Sequence, residues 1–544
     1  MTTLRGADIV ARTLESLGVT RIFTLSGNHI MPVFDALLST RIEIIHVRQE
    51  AACVHMADAW GRMTGEVGVA LVTGGQGHSN GAAALFTALG AESPVLLLSG
   101  HAGLKELGRG AFQEMAQADI ARPMTKASWT AASTAGLADD LARAVRIARE
   151  GRPGPVHLSL PVDLLEASVN GTGFLPPAPE PVPGRHPEPA ALTKAADILR
   201  HAERPLILCG PALCDVSGKA AMLALETAIG IPVIGMESPR GVNDPSLGSF
   251  AEILAQADVV ALVGKALDFT LKFGDAPAVP ETCAFIVFDP DAELIARATR
   301  GKGPHLLASG IADPRPTLAD LGTALAGVRI DSPWLSQVRD ALRYVPPAWD
   351  SAAGSPGRLH PVELCRAVGA FLERHSGATL ICDGGEIGQW PQALIKTERR
   401  LVNGVSGTIG VSIPFALAAK ALDPQAPVVA ILGDGTFGFH MAEFDTAVRY
   451  GLPIIAVVGN DARWNAEYQI QLRSFGAERA RHCDLLPARY DQVVAALGGF
   501  GACVTHVDEL PDALERAHAS GRPACINVMI ESVPAPVIRR AAPG

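Results

Sequence analysis

This chain of 544 residues carries little charge for its length: Asp, Glu, Lys and Arg together make up 19% of it. Against a net charge of −10 there is no Lys/Arg block, which argues against nucleic acid as a partner. No stretch of 18 apolar residues occurs, so no membrane span is expected. The opening residues, Met1 to Asp8, lack a basic segment followed by an apolar one, so no signal peptide is expected either. The nine cysteines include no Cys-x-x-Cys pair, and several, such as Cys209 and Cys382, sit inside apolar runs. That pattern predicts reduced, mostly buried thiols in a cytoplasmic protein. What the chain does have is apolar mass: 48% hydrophobic residues, enough for a large core and too much for disorder. At roughly 100–200 residues per domain, the length suggests about three domains.

Short runs of Val, Ile and Leu alternate with helix-like segments throughout. In the first part they are Arg21–Leu25, Ile42–Val47, Val67–Val72, Pro94–Leu98 and Pro155–Leu160. The middle has Pro205–Cys209, Ile231–Met236, Val259–Val263 and Phe285–Phe288, and the last part Thr379–Cys382, Val428–Leu432, Ile454–Val458 and Cys525–Ile530. Buried parallel strands with crossover helices read this way. A stretch containing seven prolines between Pro176 and Pro189, and a second break through Tyr344-Val-Pro-Pro347, mark the boundaries. The predicted fold is α/β, three doubly wound parallel-sheet domains at residues 1–170, 185–330 and 358–544. Between the last-domain runs, Glu443–Arg449 has helical spacing with Phe444, Ala447 and Val448 on one face.

Two of these runs end in acid. Pro427 to Leu432 is followed by Gly433-Asp434-Gly435, and Pro453 to Val458 by Gly459-Asn460-Asp461. The acids stand 27 positions apart, the room a strand–helix–strand unit needs to set two strand tips side by side. Gly-Asp-Gly alone is equally compatible with a simple turn. With a second acidic strand tip, and glycines that let backbone N–H groups approach an anion, the pair suits a divalent cation and a diphosphate. Mg²⁺ takes about six oxygens and draws few from protein when phosphate supplies the rest. Asp434, Asp461 and a loop carbonyl such as that of Arg463 would complete the protein's share.

The segment from Gly433-Asp434-Gly435 to Asn460-Asp461 resembles the signature of thiamine-diphosphate-dependent enzymes, and the resemblance extends over nearly the whole chain. It is similar to the group that includes acetolactate synthase, benzaldehyde lyase, oxalyl-CoA decarboxylase and 2-hydroxyacyl-CoA lyase. Glu443–Arg449 and Arg522–Val528 look closest to benzaldehyde lyase. Arg109–Glu114 and Leu267–Gly274 look closer to the hydroxyacyl-CoA lyases. The group usually has Asn where this chain has Asp461, so either Asp461 or Asn460 serves as the metal ligand, with Asp461 favoured. The three domains would bind the aminopyrimidine, nothing assigned, and the diphosphate, in that order.

The resemblance implies further roles. Glu50 stands near a strand-to-helix junction, where a first-turn glutamate is also favoured by the helix dipole. It matches the family glutamate that hydrogen-bonds N1′ of the aminopyrimidine. Ile409 takes the place of the large apolar residue that props the bent cofactor, its β-branch making it stiff, and the Gly407 carbonyl would accept from the 4′-amino group. Gly27-Asn28-His29 would face the reactive carbon, with His29 as a proton relay. Gln113 would orient a substrate oxygen. Thr73-Gly74-Gly75-Gln76-Gly77 matches the loop near the aminopyrimidine. Gly433, Gly435, Thr436 and Trp464 would meet the cofactor, and Asn403, Trp464 and Asn465 would line the cavity.

The implied activity is a thiamine-diphosphate- and Mg²⁺-dependent C–C lyase or carboligase acting on acyloins or 2-hydroxyacyl-CoA. The alternative is an acetolactate-synthase-like transferase or a 2-oxo acid decarboxylase. A catalytically silent paralogue is disfavoured by the presence of Glu50 and Asp434. FAD is not expected, because Val263-Gly264-Lys265 is not a Gly-x-Gly-x-x-Gly loop. CoA or ADP binding is left open. Family geometry places active sites between subunits, so a homodimer or homotetramer is expected.

Overall fold

The computed structural model describes residues 3–327 and 333–540. They form two compact units. The first comprises residues 1–183 with 413–425 and 440–452; the second comprises 184–412, 426–439 and 453–544.

Branched aliphatic runs become strands here because both sheet faces are covered by helices, so every side chain of a central strand can be buried. The sheet of the first unit has six parallel strands in the order Glu43–His46, Arg21–Thr24, Gly68–Val72, Val95–His101, Val156–Pro161, Ala127–Thr130. Gly68–Val72 and Val95–His101 are buried at every position. A short antiparallel pair, Thr3–Arg5 with Ser168–Asn170, ties the start of the chain to the end of this sheet's sequence.

The second unit holds two parallel sheets. One has five strands in the order Val233–Gly235, Pro205–Cys209, Val259–Val263, Ala284–Asp289, Leu306–Ile311. The other has six: Arg399–Val402, Thr379–Cys382, Val428–Gly433, Ile455–Asn460, Ala524–Met529, Phe500–Val504. In the latter Gly433 pairs with Gly459, so Asp434 stands level with Asn460, which is still paired with Met529, and Asp461 is the first residue beyond that strand.

Besides the short antiparallel pair, four strands of the parallel sheets escaped the sequence reading: Ala127–Thr130, Leu306–Ile311, Arg399–Val402 and Phe500–Val504. All four lie at sheet edges. An edge strand is covered less completely, and these four are only partly buried along most of their length, so they lack a continuous apolar run. Val448 is a smaller correction. Phe444 and Ala447 are fully buried, but Val448 is 37% exposed and lies off the buried face.

The helix Glu50–Thr64 shows how local chemistry fixes an element. Gln49 caps it by accepting from the amides of Ala51 (2.6 Å) and Ala52 (3.3 Å). Gly65, at φ +73°, ends it in the left-handed conformation glycine tolerates. Within it Asp58, fully buried, takes two bonds from Arg62 at 2.8 and 2.6 Å. Replacing Asp58 with Ala deprives a mostly buried guanidinium of its carboxylate. The expected loss is about 3–5 kcal/mol, seen as a lower denaturant midpoint for the variant.

Candidate active site

The sequence-predicted site residues fall into two sets, one in each unit, and both are built at the carboxyl ends of a parallel sheet. In the first unit the strand Glu43–His46 leads straight into the helix that Glu50 opens. Asn80 Nδ2 donates to Glu50 Oε2 at 3.0 Å. Gly77 backs onto the same carboxylate: a Cβ there would stand 3.4 Å from Glu50 Oε1. The junction before Glu50 is pinned by Glu443, whose buried carboxylate accepts the Arg48 amide at 3.0 and 3.2 Å and the Thr446 hydroxyl at 2.6 Å. Burial raises the pKa of Glu443.

His29 and Thr73 leave neighbouring strands and meet, with His29 Nδ1 3.3 Å from Thr73 Oγ1. Their approach needs Gly27, where a Cβ would come within 2.4 Å of the Thr73 side chain. The His29 ring stacks on Phe112 and is buried, which lowers its pKa and keeps it neutral at pH 7. Gln113 holds a positive φ of +56°, a strained conformation for a non-glycine residue. It packs behind Gly75, where a Cβ would meet its own at 2.6 Å. Buried Gln117 fixes that loop, accepting from Gly75 N at 2.8 Å and donating to Gly100 O at 3.0 Å. Gln76 opens the following helix and bonds Asn80.

In the second unit a cavity of about 210 Å³ gathers Asp434, Asp461, Thr436, Trp464, Gly407 and Ile409, with Gly433, Gly435 and Arg463 also in its wall. Asp434 accepts from the Arg463 amide at 3.1 Å. The turn that allows this passes through Ala462 at φ +56°, a second strained non-glycine position. Gly435 is needed for close approach: a Cβ would press into the Trp464 ring at 2.7 Å. Thr436 turns its hydroxyl back onto Gly433 O at 2.9 Å.

Asp461 and Asn460 take different directions. Asn460 is fully buried and spends its amide on Ala488 O, Asn527 Oδ1 and Ala462 N. Asp461 faces the cavity. Burial, and for Asp461 also the nearby Asp434 charge, raises both carboxyls from 3.8, Asp434 to about 6 and Asp461 to about 7. A divalent cation relieves that repulsion, so this donor set fits one. Among the described residues no cluster of three or more His, Cys, Asp or Glu side chains could hold a metal. A cation here therefore draws its other oxygens from backbone, water or a bound phosphate.

Six residues described at these sites were not foreseen. Three are Asn80, Gln117 and Glu443. Asp383, at the tip of Thr379–Cys382, is fully buried and accepts from Gly410 N (2.8 Å), Ser412 N (3.1 Å) and Ser412 Oγ (2.6 Å). It thereby holds the loop carrying Ile409, which lies against Gly384 and is further tied by Asn403 Nδ2 to Thr408 O at 2.8 Å. Glu386 and Arg240 also line the cavity. Asp383-Gly384 repeats the strand-tip Asp-Gly of Asp434-Gly435, and that repetition was readable.

Three family models match the chain: the N-terminal thiamine pyrophosphate binding domain over residues 4–120, the central domain over 192–321 and the C-terminal thiamine pyrophosphate binding domain over 383–528. This chain belongs to the thiamine pyrophosphate enzyme family. Family membership makes it a thiamine-diphosphate-dependent enzyme. Among its relatives, "Probable acetolactate synthase" of Mycobacterium bovis is 32% identical, covering 97% of this chain and 96% of the relative. "2-hydroxyacyl-CoA lyase 2" of Homo sapiens is 30% identical, over 96% and 90%. The same-named protein of Bos taurus is 32% identical, over 97% and 90%. The family cofactor fits this site: the carboxylate pair faces a glycine-lined cavity that also contains Ile409 and Trp464.

The raised carboxyl pKa values give a pH prediction for the cofactor-free protein. A carboxyl whose folded pKa lies above its unfolded value contributes its full stability below the unfolded pKa, near 3.8. That stability is lost as pH rises through 6 to 7. Asp461→Asn removes the ionisation and its repulsion with Asp434. Thermal denaturation should show the variant melting higher than the native chain at about pH 8, with the gain gone near pH 4.

Proposed function

We propose that this enzyme makes or breaks the C–C bond next to a carbonyl, as a lyase or carboligase whose product or substrate is a 2-hydroxy carbonyl compound. The observation that carries this reading is the pair Asp434 and Asp461, held at adjacent strand ends in the cavity that also contains Ile409. In this reading Asp434 and Asp461, with a carbonyl near Arg463, would hold Mg²⁺, and Gly433, Gly435 and Thr436 would meet the diphosphate. Thiamine diphosphate, when bound, supplies the electron sink the bond cleavage requires.

The remaining roles belong to side chains. Glu50 holds a proton at the aminopyrimidine N1′, supported by Asn80. His29, neutral and next to Thr73, accepts or donates a proton at a substrate oxygen. Gln113 orients that oxygen. Ile409, backed by the Asp383 clamp, would prop the bound cofactor, and Trp464 would close one wall against water. The relatives' printed names span synthases and lyases, so acetolactate-synthase-like transfer or 2-oxo acid decarboxylation is the second reading. Self-association into dimers or tetramers, domains near 1–170, 185–330 and 358–544, and a cytoplasmic location complete the proposal.

The test offers benzoin, a short 2-oxo acid and a 2-hydroxyacyl-CoA in parallel to protein supplied with thiamine diphosphate and Mg²⁺. Consumption of at least one is expected, and product identity sorts the readings. Glu50→Gln is expected to lower turnover by at least about 100-fold, the scale of a lost proton-transfer group, with an unchanged circular dichroism spectrum. Native-like rates in that variant would refute the role of Glu50.

A further inference from the structure

The strand Val156–Pro161 carries two polar side chains, His157 and Ser159, inside the six-stranded sheet of the first unit. Residues two apart share a face, and the register sets Ser128 beside His157 and Ser99 beside Ser159. His157, Ser159 and Ser99 are fully buried. Aliphatic side chains could fill this face, as Val156, Leu158 and Leu160 fill the other. Buried polar groups of this kind are kept only where they find partners.

The partners form a chain whose direction is fixed at every link. The Gly75 amide donates to Gln117 Oε1 at 2.8 Å. Gln117 Nε2 donates to Gly100 O at 3.0 Å and to Ser159 Oγ at 3.1 Å. Ser159 Oγ stands 3.4 Å from His157 Nε2, and His157 Nδ1 stands 2.9 Å from Ser128 Oγ. The Ser128 hydroxyl spends its one proton on Ala118 O, at 2.7 Å. His157 Nδ1 must therefore donate to Ser128, which leaves Nε2 to accept from Ser159. Only a neutral ring protonated on Nδ1 fits. Burial supplies that state. It lowers the pKa of His157 well below the usual 6.5, and that of His78, whose ring centre lies 4.6 Å away, to about 4.

The far end of the chain reaches the proposed substrate side. Gly75, at φ +60°, leans on the Gln113 backbone, so closely that a Cβ on it would lie 2.9 Å from Gln113 O. A shift of Gly75 is felt at Gln113, which already holds a strained φ. We propose that His157 is a positioning residue for the reaction: through Ser159 and Gln117 it pins the Gly75 amide, and so holds Gln113 at the angle from which it orients the substrate oxygen. This rests on the substrate-orienting role of Gln113 and adds the buried device behind it.

Hydrogen exchange at Gly75, followed by mass spectrometry of a peptide spanning residues 71–79 in the chain without added cofactor, reads the clamp directly. Ser159→Ala and His157→Phe should each speed that exchange at least about tenfold, as expected when a buried amide loses its hold. With thiamine diphosphate and Mg²⁺, and whichever of benzoin, a short 2-oxo acid or a 2-hydroxyacyl-CoA the native enzyme consumes, both variants should lower kcat/KM by about 10- to 100-fold, the scale of a small misplacement. The double variant should be no worse than the harsher single one, because both cut the same chain. His157→Gln, whose side-chain oxygen can accept from Ser159, should regain most of the Gly75 protection that His157→Phe loses. Ser99→Ala removes an equally buried hydroxyl at the same level of the sheet, one that meets His78 Nδ1 at 2.9 Å and lies outside the chain. It should leave exchange at Gly75 as in the native protein.

Native-like exchange in Ser159→Ala overturns the assignment. So does protection that His157→Gln fails to regain, or a Ser99→Ala variant that matches Ser159→Ala, the result a merely structural role would give. Unchanged kcat/KM in a variant whose Gly75 amide is freed overturns it as well. A native protein that consumes none of the three substrates sinks the role of Gln113, and the inference falls with it; that failure is told apart by Gly75 protection that still responds to Ser159→Ala.

Discussion

Two carboxylates that repel each other are the constraint on which the diphosphate-binding half of this protein depends. Asp434 and Asp461 leave adjacent parallel strands whose register is set by the Gly433–Gly459 pair. Both are drawn out of water at the end of a cavity, and both titrate well above an ordinary aspartate. The fold tolerates this because backbone amides, including that of Arg463, point at Asp434. It also accepts local strain at Ala462 to aim them. In the proposed function a cation would turn that repulsion into attraction, so the pair that burdens the cofactor-free fold would anchor the loaded one.

One device recurs around both sets of site residues. A buried acid or amide side chain bonds backbone N–H groups of a neighbouring loop and holds it in place. Asp383 does this for the loop that carries Ile409, Glu443 for the junction before Glu50, and Gln117 for Gly75 behind Gln113. None of the three faces a substrate in the proposed chemistry. They supply the rigidity that positioning demands, since a site loose by an ångström loses much of its rate.

How much of this was legible depended on burial. Central strands such as Gly68–Val72 and Val259–Val263 are covered on both faces and show as unbroken aliphatic runs. Edge strands such as Arg399–Val402 are not, and their sequence carries no such mark. Site residues divided in the same manner. Asp434, Asp461 and Glu50 follow apolar runs and could be found by position. Glu443 lies hundreds of residues from the Arg48 amide it holds, and Arg240 is an ordinary arginine in a loop until it lines a cavity. No local pattern announces either.

The sequence by itself therefore determined the class of fold, the strand tips that carry acids and, through its motifs, the family. Those are properties of short segments, set by which residues bury well and which turn tightly. The tertiary structure alone decided that Asn460 points into the core while Asp461 points into the cavity. It also decided that Asp383 clamps Ile409 and that Arg240 and Glu386 line one cavity. Such choices rest on packing and charge between residues far apart in the chain, and they become fixed only when the sheets and helices close around them.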